Sequence, residues 1–324
     1  MTRPVVTGGV RWYSLVALLF LAATMAEFLT GSTLIQTAIT FPPGFAILMG
    51  MYGGGALLIR ETALRWGKRW GAVLLLGGAY AVGEEGFGAK TLVDPVGSNI
   101  GNQLYTHFAG INWVPLAALT VFHAAFSIAV PLVMVELIFP KTKGEALVGR
   151  KGLVVTAFVY VLAVFLVSKG DSYATPPPAT LFLAVYALAF IVAAYLVPKS
   201  FFTAEKEKTD RSRSRFVLLG AGFLGCFFLI DVLGSHFLTW PVTALLFLPL
   251  VVLTARYLVR HAGRIGNEAV KADFVLGMVL VFVPIDVIQE LKGDEGVLLY
   301  TGLILALIFY VRRRIAKGVA GQVS

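Results

Sequence analysis

Residues 152–169 read GLVVTAFVYVLAVFLVSK, an apolar run with no charged side chain before its last residue. Two basic residues, Arg150 and Lys151, stand immediately before it. A helix crosses the roughly 30 Å of hydrocarbon in a bilayer with about 20 mainly apolar residues. The run therefore predicts a membrane-spanning helix that begins beside a basic connection.

Similar apolar runs recur along the whole chain. Of its 324 residues, 58% are hydrophobic and 14% charged, and the mean hydropathy is +0.83. This balance is too apolar for one soluble core, so the apolar side chains must face lipid. The sequence predicts an all-α, polytopic membrane helix bundle, a single integral membrane domain over residues 1–324. We predict about ten spans on length: 12–30, 43–60, 71–88, 112–138, 152–169, 178–198, 216–235, 240–258, 272–290 and 295–311.

The connections between these spans alternate in charge. Lysine and arginine concentrate in cytoplasmic loops, and 24 of the 27 basic residues fall on one set of connections, which leaves Lys90, Lys169 and Lys292 on the other. Because one helix more or fewer would scramble this pattern, it predicts ten spans with both termini cytoplasmic. The net charge of +9 belongs to these loops, so the lipid bilayer is the predicted partner and nucleic acid is not. The oligomeric state is not specified.

The longest polar stretch, residues 200–215, is predicted to be a charged cytoplasmic linker. It divides the chain into possible halves, 1–199 and 216–324. If each half held five helices, the second would be inverted relative to the first, as in many transporters. The halves show no clear sequence echo.

Acidic residues lie far along the helices that are predicted to run outward. A charge in hydrocarbon costs at least about 2.5–3.5 kcal/mol, so such residues usually face a protein interior or a wet cavity. At a rise of 1.5 Å per residue these acids share one level, roughly 20 Å above the inner boundary. We therefore predict an acidic ion-binding site in the outer half of the bilayer. Its acids are Glu27, Glu84, Glu85, Asp231 and Asp286.

His123 lies on a helix that is predicted to run inward, roughly 16 Å from its outer end and close to the acidic level. Glu84 and Glu85 are neighbours, about 100° apart on a helix, so we expect one to act at the site and the other to pair elsewhere. The chain has a single cysteine, Cys226, and no His-Glu-x-x-His or phosphate-loop motif. No motif requires a cofactor, and none specifies a metal.

Four stretches resemble an uncharacterised family of prokaryotic multi-pass membrane proteins: residues 27–33, 52–61, 84–95 and 112–123. The likeness covers roughly residues 12–150. It implies residence in the cell membrane of a prokaryote and no particular activity.

A weaker likeness is to the intramembrane glutamate proteases of the CAAX-processing and bacteriocin-immunity group. Their pattern is Glu-Glu-x-x-x-Arg, then Phe-x-x-x-His, then a second histidine motif. Glu84, Glu85 and His123 match the first acids and the first histidine, and the resemblance implies that they activate water for peptide hydrolysis. Ala89 stands in place of the arginine and Leu119 in place of the phenylalanine, and the second histidine motif is missing.

Three functions are compatible with these residues. The leading hypothesis is a proton- or cation-coupled transporter of a small solute or ion. The alternatives are an intramembrane hydrolase, with Glu84, Glu85 and His123 as its catalytic groups, and a membrane scaffold or sensor without catalysis. Whether the protein is an enzyme is therefore left open. In the transporter hypothesis the ion-binding residues are Glu27, Glu84, Glu85, His123, Asp231 and Asp286.

Overall fold

The computed structural model describes residues 8–96, 103–199, 214–261 and 268–320 of the chain. These residues are almost entirely helical, which confirms the predicted all-α bundle. A small antiparallel pair of strands, β1 (His107–Phe108) and β2 (Ile111–Asn112), precedes one helix. The α-helices are α1 (Gly8–Glu27), α2 (Ile35–Thr40), α3 (Pro42–Leu48), α4 (Gly54–Arg65), α5 (Trp70–Ala81), α6 (Gln103–Thr106), α7 (Trp113–Phe122), α8 (Val130–Ile138), α9 (Arg150–Ser168), α10 (Pro177–Leu196), α11 (Ser214–Phe237), α12 (Trp240–His261), α13 (Glu268–Leu291) and α14 (Val297–Ala320).

Three of the predicted spans contain a widened turn of π-helix. The π-segments are π1 (Met49–Gly53), π2 (Val82–Gly88) and π3 (His123–Ala129). π1 joins α3 to α4, π2 continues α5, and π3 joins α7 to α8. π-Turns are rare and occur frequently at functional sites. Their presence in three consecutive spans therefore indicates that this part of the bundle holds a candidate functional site.

Each predicted span coincides with a helical segment of the described chain. Eight described helices are long and apolar enough to cross a membrane; the segment 70–88 and α14 are not among them. The multi-pass architecture is confirmed, while the count of ten and the orientation of the termini stay predictions.

The predicted linker falls mostly on residues 200–213, outside the described residues. Six of the segments that correspond to predicted spans precede residue 200 and four follow residue 213. The segments are thus divided six and four at this linker rather than five and five, and the two halves stay a prediction.

The last four long helices pack against the first six through several elements. α12 lies against α7 and α13 against α8, while α11 and α13 pack against each other within the last four helices. The Tyr300 hydroxyl of α14 donates a hydrogen bond of 2.5 Å to Thr24 Oγ1 of α1. A Cβ on Gly277 of α13 would press into the Val217 carbonyl of α11, so this glycine lets the two backbones touch.

The basic end of the bundle, where α4 ends and α9 begins, is held by a buried carboxylate. Glu61 has no exposed surface and accepts hydrogen bonds from Arg60 Nη1 at 2.6 Å and Arg65 Nη1 at 2.5 Å. Its Oε1 also accepts the backbone N–H of Leu147 at 2.9 Å. Glu61 therefore ties α4 to the connection between α8 and α9.

We predict that Glu61→Ala destabilises the protein strongly. Removing one partner of a buried ion pair typically costs about 3–5 kcal/mol, because the remaining charges lose their partner. Thermal unfolding of the purified protein in detergent measures the loss. The control is Glu268→Gln, which breaks the exposed 3.8 Å pair with Lys143 and is expected to cost about 1 kcal/mol or less. Equal shifts for the two variants would contradict the assignment.

We predict that Gly277→Ala also destabilises the protein, because the new Cβ meets the α11 backbone, which has no flexible end to move aside. Overpacking of this kind costs about 1–3 kcal/mol. Gly222→Ala is the matched control on α11, where a Cβ would meet nothing within 4 Å. Thermal unfolding distinguishes the two; a Gly277→Ala protein as stable as Gly222→Ala would contradict the close contact.

Candidate ion-binding site

Three polar side chains meet in the interior of the bundle. His123 Nε2 lies 2.9 Å from Glu85 Oε1, and His123 Nδ1 lies 3.2 Å from Glu84 Oε2. All three side chains are buried, with 2%, 9% and 4% of Glu84, Glu85 and His123 exposed. One imidazole ring thus has a carboxylate at each of its two nitrogens.

The structure brings both adjacent acids to the same ring, whereas the sequence predicted that one would pair elsewhere. Glu84 and Glu85 lie in π2, whose sequence VGEEGFG contains three glycines. The two ring nitrogens lie on different edges of the imidazole, so His123 accommodates carboxylates that leave the helix in different directions. The two acids converge because each contacts a different nitrogen of the His123 ring, not because they share a helix face.

Two features of the sequence bring π2 and π3 together. A Cβ on Gly77 of α5 would lie 2.7 Å from Ala124 Cα, so this glycine allows α5 to touch the backbone of π3 beside His123. Pro131 follows π3 and has no N–H for the carbonyl of Ser127, which loosens the helix there. Just before α7, the fully buried Asn112 donates to the carbonyls of two residues that follow π2, Thr91 at 2.8 Å and Asp94 at 2.7 Å.

A second set of polar groups surrounds the three residues. Tyr52 of π1 lies beside the carboxyls of Glu27 and Glu84, and its ring stacks 6.4 Å from the His123 ring. The Thr33 hydroxyl donates to Glu27 Oε2 at 2.5 Å. Glu27 therefore joins the cluster through π1, and we use the name acid–imidazole cluster for Glu27, Glu84, Glu85 and His123.

Several buried atoms in this cluster and next to it lack a hydrogen-bond partner among the described residues. They are Glu84 Oε2, His123 Nδ1 and the Tyr80 hydroxyl. Glu84 Oε2 and His123 Nδ1 approach each other to 3.2 Å without the geometry of a hydrogen bond. Tyr80 is only 4% exposed, lies beside Glu84 and has its ring 6.0 Å from that of His123.

The charges of the cluster are unbalanced. It contains three carboxyl groups and one imidazole, and no lysine or arginine of the described residues forms an ion pair with them. Uncompensated charge in a low-dielectric interior is costly. The cluster must therefore hold protons or a cation, which is what this arrangement can do chemically.

A pocket of about 260 Å³ lies at the end of the bundle away from the basic end. Thr33, which donates to Glu27, forms part of its wall. Most other lining side chains are apolar, including Phe41 and Phe45, and Val167 of α9 borders both the pocket and Gly88 of π2. The Thr33–Glu27 hydrogen bond connects the pocket wall with the cluster, whose own residues do not line this pocket.

The remaining two predicted acids lie elsewhere. Asp286 is fully buried and accepts a hydrogen bond from Thr301 of α14, while its Oδ1 has no partner among the described residues. Asp231 is half-buried on α11 and forms no ion pair with the cluster in the described part of the chain. The predicted acids of the first four spans therefore lie together in the structure, whereas Asp231 and Asp286, which were predicted at the same depth, do not join them.

Sequence reasoning missed Thr33, Tyr52 and Tyr80. Tyr80 stands four residues before Glu84, the spacing of neighbours on one helix face, so that spacing was an available signal. Tyr52 and Thr33 contribute through tertiary contacts that no local pattern reveals.

Comparison with known proteins identifies the family. No curated protein and no solved structure matches the chain. Nothing in these comparisons supports the likeness to intramembrane glutamate proteases. The model of an uncharacterized membrane protein family matches residues 16–199, a range that contains the entire acid–imidazole cluster and ends before α11. The chain therefore belongs to this uncharacterized membrane protein family.

Proposed function

We propose that the protein is a cation- or proton-coupled transporter of a small solute or ion, with Glu84, Glu85 and His123 as its ion-binding residues. The observation that carries the proposal is the convergence of two acids and an imidazole from two π-segments. Ionisable residues in the membrane interior are expensive and usually serve ion or proton movement. Glu27 and Tyr52 support this site from α1 and π1.

The interrupted helices also suit transport. Ion sites of many transporters lie where spanning helices are discontinuous, because the irregular backbone lines a cavity and lets a helix change shape. Here π1, π2 and π3 contribute Tyr52, the two acids and His123, respectively.

We further propose that the protein resides in the cytoplasmic membrane of a prokaryotic cell with both termini in the cytoplasm. The basic end supports this orientation, since Arg60, Lys271 and Arg314 all form contacts there. At the opposite end, Lys90 donates to the carbonyls of Asp171 and Tyr173. The pocket then opens outward.

Cysteine labelling checks the orientation in a Cys226→Ser background. Ser32 lies on the exposed surface near the pocket, and Lys141 on the exposed surface of the basic end. A membrane-impermeant maleimide is expected to label Ser32→Cys in intact cells and Lys141→Cys only after permeabilisation, because basic loops are retained in the cytoplasm. The reverse pattern would overturn the orientation.

Ion-jump currents test the transport proposal without knowledge of the solute. The purified full chain in proteoliposomes on a solid-supported membrane is expected to give a transient current when pH or cation concentration is stepped. Glu84→Gln and Glu85→Gln are each expected to weaken the apparent ion affinity about tenfold or more, because a charged ligand is worth about 1.5–3 kcal/mol.

The matched control is Asp231→Asn, which removes a carboxylate that lies on α11 away from the cluster. It is expected to retain the wild-type current. Unchanged currents in both glutamine variants, with the proteins folded by gel filtration, would sink the proposal.

A hydrolase is the second candidate, because one ligand atom from each of Glu84, Glu85 and His123 lies within 4.8 Å of the others. This spacing permits all three to address one water. Absence of any ion-jump current in the wild-type protein would refute the transporter and leave the hydrolase and the scaffold as alternatives.

A further inference from the structure

We propose that the ion carried by this protein is a divalent transition-metal ion bound by Glu84, Glu85 and His123. The inference rests on the proposed transport function and names its cargo class. It is drawn from three features of the cluster: the spacing of its donor atoms, its unpartnered buried atoms and its unbalanced charge.

The donor atoms are spaced for a common ion. One atom from each of the three residues lies within 4.8 Å of the others, and Glu84 Oε2 is 3.2 Å from His123 Nδ1. With bonds of about 2.0–2.2 Å, neighbouring ligands of a tetrahedral ion are about 3.3–3.6 Å apart.

The unpartnered atoms are an independent indication of a ligand. A buried polar atom without a partner is rare in a native protein and calls for a missing group. Glu84 Oε2 and His123 Nδ1 face each other without hydrogen-bond geometry, as two ligands of one ion do. The Tyr80 hydroxyl, also buried and unpartnered, lies beside Glu84 and can donate to a water on the ion.

Charge sets the valence of the ion. Glu27, Glu84 and Glu85 surround one imidazole, and no lysine or arginine of the described chain pairs with them. A divalent cation offsets two carboxylates at once. A monovalent ion leaves more negative charge uncompensated in the interior.

The donor set selects the class of metal. Imidazole suits zinc, iron and nickel, whereas sites built only from oxygen suit magnesium and calcium. Thiolate ligands favour softer ions, and the single cysteine lies on α11, exposed and outside the cluster. One nitrogen with two carboxylates therefore fits zinc, iron(II) or nickel(II).

Metal binding is measured on the full-length protein in detergent after chelator treatment and dialysis against Zn²⁺. Wild type and the Asp231→Asn control are expected to retain about one ion per chain. Glu84→Gln and Glu85→Gln are each expected to bind Zn²⁺ at least about tenfold more weakly than wild type, because each variant loses a charged ligand. Gel filtration establishes that the variants are folded.

His123→Cys supplies a readout that a structural role of the histidine would not produce. A thiolate at the ion gives Co²⁺ a charge-transfer absorption band in the near ultraviolet. The wild-type protein contains Cys226 outside the cluster, so it is the control in which the band is expected to be absent. The band in His123→Cys alone supports the metal site.

Two results would overturn the metal proposal: equal Zn²⁺ content in wild type and both glutamine variants, or no thiolate band in His123→Cys. Proton or Na⁺ currents in a protein that binds no Zn²⁺ would refute the metal and leave the transport proposal standing. Zn²⁺ binding without any current on a metal, proton or Na⁺ jump would refute transport and leave the metal site standing.

Discussion

The contact of one buried imidazole with two carboxylates is the interaction on which the packing of α5–π2 against α7–π3 depends. Each charged group taken from water into such an interior loses several kcal/mol of hydration, and no arginine or lysine of the described chain compensates these acids. Glu84 and Glu85 are therefore tolerated only because His123, and whatever proton or ion the cluster holds, stands between them. This requirement constrains the packing of α5, π2, α7 and π3 together.

Close backbone approach supplies that packing. Gly77 brings α5 against Ala124, and Gly53 brings π1 against Leu19 of α1, because a side chain at either glycine would run into a neighbouring backbone. A membrane interior offers no hydrophobic drive for helices to associate, so small residues and polar contacts carry more of the packing. The glycines and the cluster thus act on the same helix interfaces. The glycines allow the helices to approach closely, and the polar contacts of the cluster make their packing specific.

Apolar length predicted the helical segments of the bundle, because it is set by the bilayer and not by tertiary contacts; eight of these helices are long and apolar enough to span a membrane. Depth along a helix likewise predicted that Glu84, Glu85 and His123 would lie at one level. Depth says nothing about direction around the bundle, and Asp286 instead meets Thr301 on α14. The π-turns have no simple sequence signature, so Glu84 and Glu85 were predicted as residues of an ideal α-helix, about 100° apart. That angle does not apply to π2.

The separation of the two polar centres explains why the acidic site and the last four helices need not share a function. The cluster lies wholly within residues 16–199, the range shared with the family, whereas Asp286 and Thr301 lie beyond it. Beside π3, α13 and α14 approach the first group through apolar and uncharged contacts, with the Phe282 ring 5.0 Å from the Phe126 ring and the Tyr300 hydroxyl on Thr24. Their charged contacts lie at the basic end, where Lys271 pairs with Glu136 and Arg314 donates to the carbonyl of Ile138. α13 and α14 therefore form a wall behind π3 that brings no charged side chain of its own to the acid–imidazole cluster in the described part of the chain.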